Sequence, residues 1–152
     1  MKAIVVSQAI NADRESVWSM ITDLDRWGSV ISAIENVERL DDGTGFAVGT
    51  RWRETRTMFG RTATEEMEVT SVDEGQSYVV EAESNGAHYR SVFTVEQIQD
   101  GHTELTMSFG AEPTGLFGKI MGATVGRLFA GATRKAVQTD LSDIAAALDM
   151  NG

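Results

Sequence analysis

The sequence predicts an α+β domain in which a seven-stranded antiparallel sheet curves around one long C-terminal helix, with two short helices after the first strand. Three observations predict it. From about residue 35 to residue 111, apolar and polar residues alternate with a period of two and turn residues recur at short intervals, the pattern of an antiparallel meander. From Thr114 to Leu148 the apolar residues fall at helical spacing and no proline intervenes. Ahead of residue 35, one Ile/Val-rich run precedes two short helical patterns.

The first strand is expected over residues 2–10, ending at Asn11. Asn11 and Asp13 each offer an oxygen to cap a helix, and Val17, Trp18, Met20 and Ile21 follow at helical spacing, which predicts a helix near 13–21. In TDLDRWGSVISAI, the residues Leu24, Trp27, Val30, Ile31 and Ile34 predict a second short helix. The turns of the meander then fix its register. A two-residue turn at Phe59 and Gly60 sets Trp52 opposite Met67, Glu54 opposite Glu65 and Arg56 opposite Ala63. A turn at Glu74 and Gly75 sets Val69 against Val80, Asn85-Gly86 sets Ala82 against Tyr89 and Tyr78 against Phe93, and a loop of Gln99, Asp100 and Gly101 sets Phe93 against Met107. All four turns put the large apolar residues on one face, while Arg51, Arg53, Glu66, Glu68, Glu81, Arg90 and Glu104 take the other, which is the solvent side.

A sheet with one apolar face needs a cover, and the C-terminal segment is the only one long enough. At 100° per residue, Val137, Leu141, Ile144 and Leu148 share one arc, and its backward extension passes over Ala130, Gly126 and Gly122. The first half of the helix thus turns almost no side chain toward the sheet. Five glycines, at 115, 118, 122, 126 and 131, each cost a helix about 1 kcal/mol relative to Ala. One expectation is a cavity between glycine stripe and sheet; the other is a loop near 115–122, with the helix proper starting near Val125. Phe117, Met121, Val125 and Leu128 cluster on the opposite side, where they suit a homodimer contact or another protein partner.

Composition narrows the function classes. The 152 residues make one domain, and the net charge of −10, from 13 basic and 23 acidic side chains, repels phosphate backbones, so no nucleic-acid partner is expected. With no cysteine and two histidines, no metal site or disulfide is expected, and no P-loop, GxSxG, HExxH or dinucleotide glycine motif calls for a cofactor. The N-terminus lacks a signal-peptide core and no run reaches the ~20 apolar residues of a membrane span, so a soluble, cytoplasmic protein is expected.

The order of elements is that of the helix-grip fold, and the chain resembles the START-like polyketide cyclase/dehydrase family, related to the birch-pollen allergen fold. The resemblance is carried by Val17, Trp18, Ile21, Asp23 and Trp27 in ESVWSMITDLDRWGSV, by Gly49 and Thr50 before the third strand, by Gly101 and Thr103 before the seventh, and by the ending DLSDIAAAL. It departs from the family pattern at Asp13 and Gly28, where prolines are common. The resemblance implies either a carrier of a small hydrophobic molecule (lipid, quinone or polyketide-like) or a cyclase, aromatase or dehydratase.

The expected ligand-binding set is Trp52, Glu54, Arg56, Glu65, Met67, Val80, Tyr89, Phe93, Met107 and Phe109 on the sheet, with Gly122 and Gly126 on the helix. Glu54, Glu65 and Arg56 are its polar members and the candidates for proton transfer, since two carboxylates facing each other across a strand pair repel while the arginine opposes that repulsion. The alternative is a hairpin tip overhanging the sheet, with all three in water.

Overall fold

The computed structural model describes residues 3–58, 60–84, 86–113 and 115–149, and the side chains among them except 58, 61, 84 and 113–130. The elements are β1 (Ile4–Ile10), α1 (Arg14–Ile21), α2 (Leu24–Val30), β2 (Ile34–Arg39), β3 (Arg51–Met58), β4 (Arg61–Asp73), β5 (Ser77–Ser84), β6 (Ala87–Gln99), β7 (His102–Pro113) and α3 (Gly115–Asp149). The seven strands form one antiparallel sheet in the order β1-β7-β6-β5-β4-β3-β2, so the first two strands in sequence occupy opposite edges. This is the helix-grip arrangement. α3 is a single helix of 35 residues, not a loop followed by a shorter helix. The expectations placed on Phe117, Met121, Gly122, Val125, Gly126 and Leu128 lie outside the described side chains.

The expected registers hold on the inner side of every hairpin: Trp52 faces Met67, Glu54 faces Glu65, Val69 faces Val80, Ala82 faces Tyr89 and Phe93 faces Met107. Each turn places a glycine at a φ between 74° and 78°, a region that L side chains rarely adopt. Two turns differ in detail. Asp73 pairs with Ser77, so the β4–β5 turn is one residue longer than expected, and a bulge between Val69 and Ser71 restores the register. The bulge turns Val72 to the inner face opposite Tyr78, where an unbroken ladder would put Ser71. At the β6–β7 turn Gln99 pairs with His102, so the loop is one residue shorter than expected, and a bulge at Ile98 restores the register.

The capping expectation at α1 is corrected. The Asp13 side chain accepts from the Gly101 N–H at 3.0 Å and Asn11 Oδ1 meets His102 Nδ1 at 3.0 Å, so both oxygens tie the β1–α1 corner to the β6–β7 turn. α2 does carry a side-chain cap, with Asp23 accepting from the Asp25 N–H.

The outer face is polar, as alternation requires. Arg53 spans Glu38 at 3.2 Å and Glu66 at 2.9 Å, and His88 lies between Glu81 at 2.8 Å and Glu83 at 3.3 Å. Those carboxylates, Glu81 first, hold the His88 imidazole above its ordinary pKa. The core forms between the inner face and the helices, from Val17, Met20, Ile21 and Trp27, from Trp52, Val69, Tyr78, Val80, Val95 and Leu105, and from Val137, Leu141, Ile144 and Leu148. The Tyr78 hydroxyl reaches the end of α1, donating to the Ile21 carbonyl at 2.8 Å.

The apolar arc of α3 is flanked by polar clips on both sides. Arg134 donates to the Val5 carbonyl of β1 at 3.0 Å, while on the other flank Asp143 accepts from the Ser32 N–H at 2.9 Å and hydroxyl at 2.8 Å. α3 packs along β1 and β7 and is joined to β3, next to the far edge of the sheet, through the Arg56–Asp140 side chains.

Candidate functional site

Alternation along β3 aims Trp52, Glu54 and Arg56 inward and Arg51, Arg53 and Thr55 outward. Trp52 is 2% exposed and closes one end of the inner face in an aromatic layer. Trp27 meets it edge-on at 5.1 Å between ring centroids, Phe46 meets Tyr78 edge-on at 4.7 Å, and Tyr78 stacks on Phe93 at 4.8 Å. Val80 and Met107 are buried in the floor of the sheet. Elsewhere the inner face is less completely covered: Met67 opposite Trp52, Phe93 opposite Tyr78, and Tyr89 and Phe109 are half-buried, and Tyr89 stacks on Phe109 at 5.8 Å.

A charged cluster lies on β3 beyond the Trp52–Met67 pair, toward the β3–β4 tip, and is shared with α3. Glu54 is 7% exposed. Its Oε1 accepts from the Trp52 indole N–H at 3.3 Å, and its Oε2 accepts from Arg56 Nε at 3.1 Å. The other arm of the guanidinium, Nη1, donates to Asp140 Oδ2 of α3 at 2.7 Å. The Arg56 and Asp140 side chains are 20% and 13% exposed, so the cluster is interior rather than overhanging the sheet edge. Glu65 stands half-buried in the cross-strand position from Glu54.

Burial works against the Arg56 charge, but Asp140 and then Glu54 outweigh it, and the guanidinium holds its proton more tightly than usual. Asp140 moves the other way. Burial raises its pKa, and Glu54 and Asp143 add to the rise, more than the nearby guanidinium lowers it. Its second oxygen, Oδ1, is buried with no hydrogen-bond partner among the described residues. The Tyr78 hydroxyl is pushed above its usual range by burial and by Glu54, and Tyr89 is raised by burial and by Glu65.

Of the residues expected at the site, the structure brings Glu54 and Arg56 into direct contact, sets Glu65 across from them, and arranges Trp52, Met67, Val80, Tyr89, Phe93, Met107 and Phe109 on the same inner face. Asp140 was not among them. Its signal in the sequence is a charged residue about 60° from the centre of the apolar arc of α3, flanking the arc on the side opposite Arg134. A separate cleft of about 550 Å³ opens on the outside of α1, lined by Arg14, Trp18, Phe46 and Glu74 among others, with the Trp18 indole donating to Glu74 at 3.2 Å.

Comparisons with known proteins agree with this architecture. A protein from Thermus thermophilus superposes with a TM-score of 0.80 over 99% of both chains at 16% identity. The Zhui aromatase/cyclase from a Streptomyces species superposes at 0.78, over 97% of this chain and 93% of its own, at 14% identity. A START superfamily protein from Mycobacterium smegmatis superposes at 0.63, over 91% of this chain and 98% of its own, also at 14% identity. These likenesses show a shared fold. No curated protein sequence matches the chain. Among the described residues, no helix is long and apolar enough to cross a membrane. The model of one family, described as polyketide cyclase/dehydrase and lipid transport, matches residues 1–149. Matched along that whole length and built as a START-like helix-grip domain, the chain belongs to the polyketide cyclase/dehydrase and lipid-transport family.

Proposed function

We propose that the chain binds a small hydrophobic molecule between the inner face of the sheet and α3. The ligand's apolar body would lie on Met67, Tyr89, Phe93 and Phe109 and its polar end at Glu54, Arg56 and Asp140. One observation carries the reading: four large apolar side chains on a face that should be fully covered keep accessible surface, next to a buried charged cluster. Accessible apolar area beside a few convergent polar groups is the usual make-up of a small-molecule site. Trp52, Val80 and Met107 support this surface from beneath, and Glu65 faces the polar end from β4. Gly122 and Gly126 belong to the reading through the sequence pattern alone.

The test is titration with the neutral fluorophore 1-aminoanthracene, alongside native mass spectrometry of protein purified without denaturant. Saturable binding of one fluorophore per chain is expected, weakened at least about tenfold by Met67→Glu in a protein that keeps its far-ultraviolet circular dichroism. Absence of saturable binding to the wild-type chain overturns the proposal.

A second reading, acid–base catalysis on a bound carbonyl compound, is favoured by the raised proton affinity of Asp140 beside a guanidinium. The readings part at Asp140→Asn. A carrier keeps its ligand with altered affinity, whereas an enzyme keeps its ligand and loses turnover.

A further inference from the structure

We propose that the cleft on the outside of α1 is a second small-molecule site, separate from the inner face, and that it takes a compact zwitterion with an aromatic body, the chemistry of a free aromatic amino acid. Its volume of about 550 Å³ falls within the range of sites that hold small ligands. Two half-buried rings line it, Trp18 of α1 and Phe46 of the loop between β2 and β3. Both rest edge-on against Tyr78, at 5.9 Å and 4.7 Å between ring centroids. Tyr78 is itself fixed, by burial and by the bond from its hydroxyl to the Ile21 carbonyl. The two aromatic walls are therefore held in place from behind, and the surface they leave open takes an aromatic body at little cost in ordering.

The charges of the cleft narrow the ligand further. Arg14 lies one turn before Trp18 on α1, so the two side chains share a face of the helix. Glu74 reaches the same ring from the β4–β5 turn, where it accepts from the Trp18 indole N–H at 3.2 Å. A guanidinium and a carboxylate thus stand beside one aromatic ring, and among the described residues neither takes part in an ion pair. Glu15, also without an ion pair among the described residues, adds a second carboxylate to the lining. The Arg14 fork is open to a carboxylate, and Glu74 and Glu15 are open to an ammonium. A ligand carrying both charges meets each with its opposite. One with the ammonium alone is repelled by Arg14, and one with the carboxylate alone is repelled by Glu15 and Glu74.

The experiment follows the indole N–H resonances of the three tryptophans in the ¹⁵N-labelled wild-type chain during titration with L-phenylalanine, phenethylamine and 3-phenylpropionate at about pH 7. The three probes share a benzene ring on a short chain and differ in charge. Saturable movement of the Trp18 signal, assigned with Trp18→Phe, is expected with phenylalanine at a concentration at least about tenfold below that needed of either analogue, because each lost charge-assisted contact removes about a decade in affinity. In Arg14→Gln the advantage of phenylalanine over phenethylamine is expected to vanish, and in Glu15→Gln/Glu74→Gln its advantage over 3-phenylpropionate. No saturable Trp18 shift in the wild-type chain with phenylalanine up to about 10 mM, or an equal response to the analogues, overturns the inference. Movement of the Trp52 signal in place of Trp18 puts phenylalanine on the inner face, where that indole meets Glu54, and overturns it as well. None of these outcomes bears on 1-aminoanthracene binding, so the proposed function stands or falls separately. The wild-type comparison decides the matter even when a variant does not fold.

Discussion

Removing the Asp140 carboxylate leaves the Arg56 guanidinium, 20% exposed, paired with Glu54. Stripping one partner from a fully buried ion pair costs roughly 3–5 kcal/mol, and the remaining carboxylate softens that loss, so Asp140→Ala is expected to lower stability by about 2 kcal/mol. Glu38→Ala is the matched control. Its contact with Arg53 is 3.2 Å, but the two side chains are 58% and 42% exposed, and its effect is expected to be much the smaller of the two. Urea unfolding of both variants checks the contrast, and equal losses would show that the interior cluster is wetter than its burial implies. Glu54 and Arg56 were legible in the sequence because a period of two decides which face a strand residue takes. Asp140 was not. A helix residue at the flank of an apolar arc is buried or exposed according to which strand comes near it, and that depends on how far the sheet curls.

The clips along α3 show the same dependence at the level of elements. Asp143 accepts two hydrogen bonds from Ser32, one from its main-chain N–H and one from its hydroxyl. Asp143→Ala removes both and returns the exposed Ser32 amide to water, whereas Ser32→Ala removes only the hydroxyl bond. The expected losses are therefore about 1.5 kcal/mol for Asp143→Ala and about half that for Ser32→Ala, again by urea unfolding. A Ser32→Ala loss as large as that of Asp143→Ala would mean that the main-chain bond contributes nothing. The strands were legible down to register, since Gly60, Gly75, Gly86 and Gly101 mark the turns and large apolar side chains mark one face. The bulge between Val69 and Ser71 was hidden, because the choice between Ser71 and Val72 opposite Tyr78 is made by burial of the valine and not by the turn. Asn11 and Asp13 were misread for a related reason: a side-chain oxygen at a helix start caps the helix only when no turn from elsewhere competes for it.

Across the whole molecule, composition and element order were enough to reach the fold, because each hairpin is a local decision and the long helix has only one apolar face to cover. The strand order adds a consequence for how the chain assembles. β3 through β7 are joined to their neighbours by tight turns, such as Gln99 with His102, but β1 must pair Ile4 with Phe109 and Ile10 with Thr103. The meander can therefore zip from hairpin to hairpin while β1 waits for nearly the whole sequence, and closing so long a loop carries an entropy cost that local pairing escapes. Val6, buried on β1, is expected to report a late event: Val6→Ala should speed unfolding several-fold and leave the folding rate nearly unchanged. Val95→Ala, in the β6–β7 hairpin, should slow folding instead. Stopped-flow kinetics of the two variants separates these cases, and a folding rate that falls with Val6→Ala would place β1 in the nucleus. On a ribosome the same order means that the first strand emerges first and is the last to be bound, so the apolar face of the growing meander stays open until its C-terminal helix has been made.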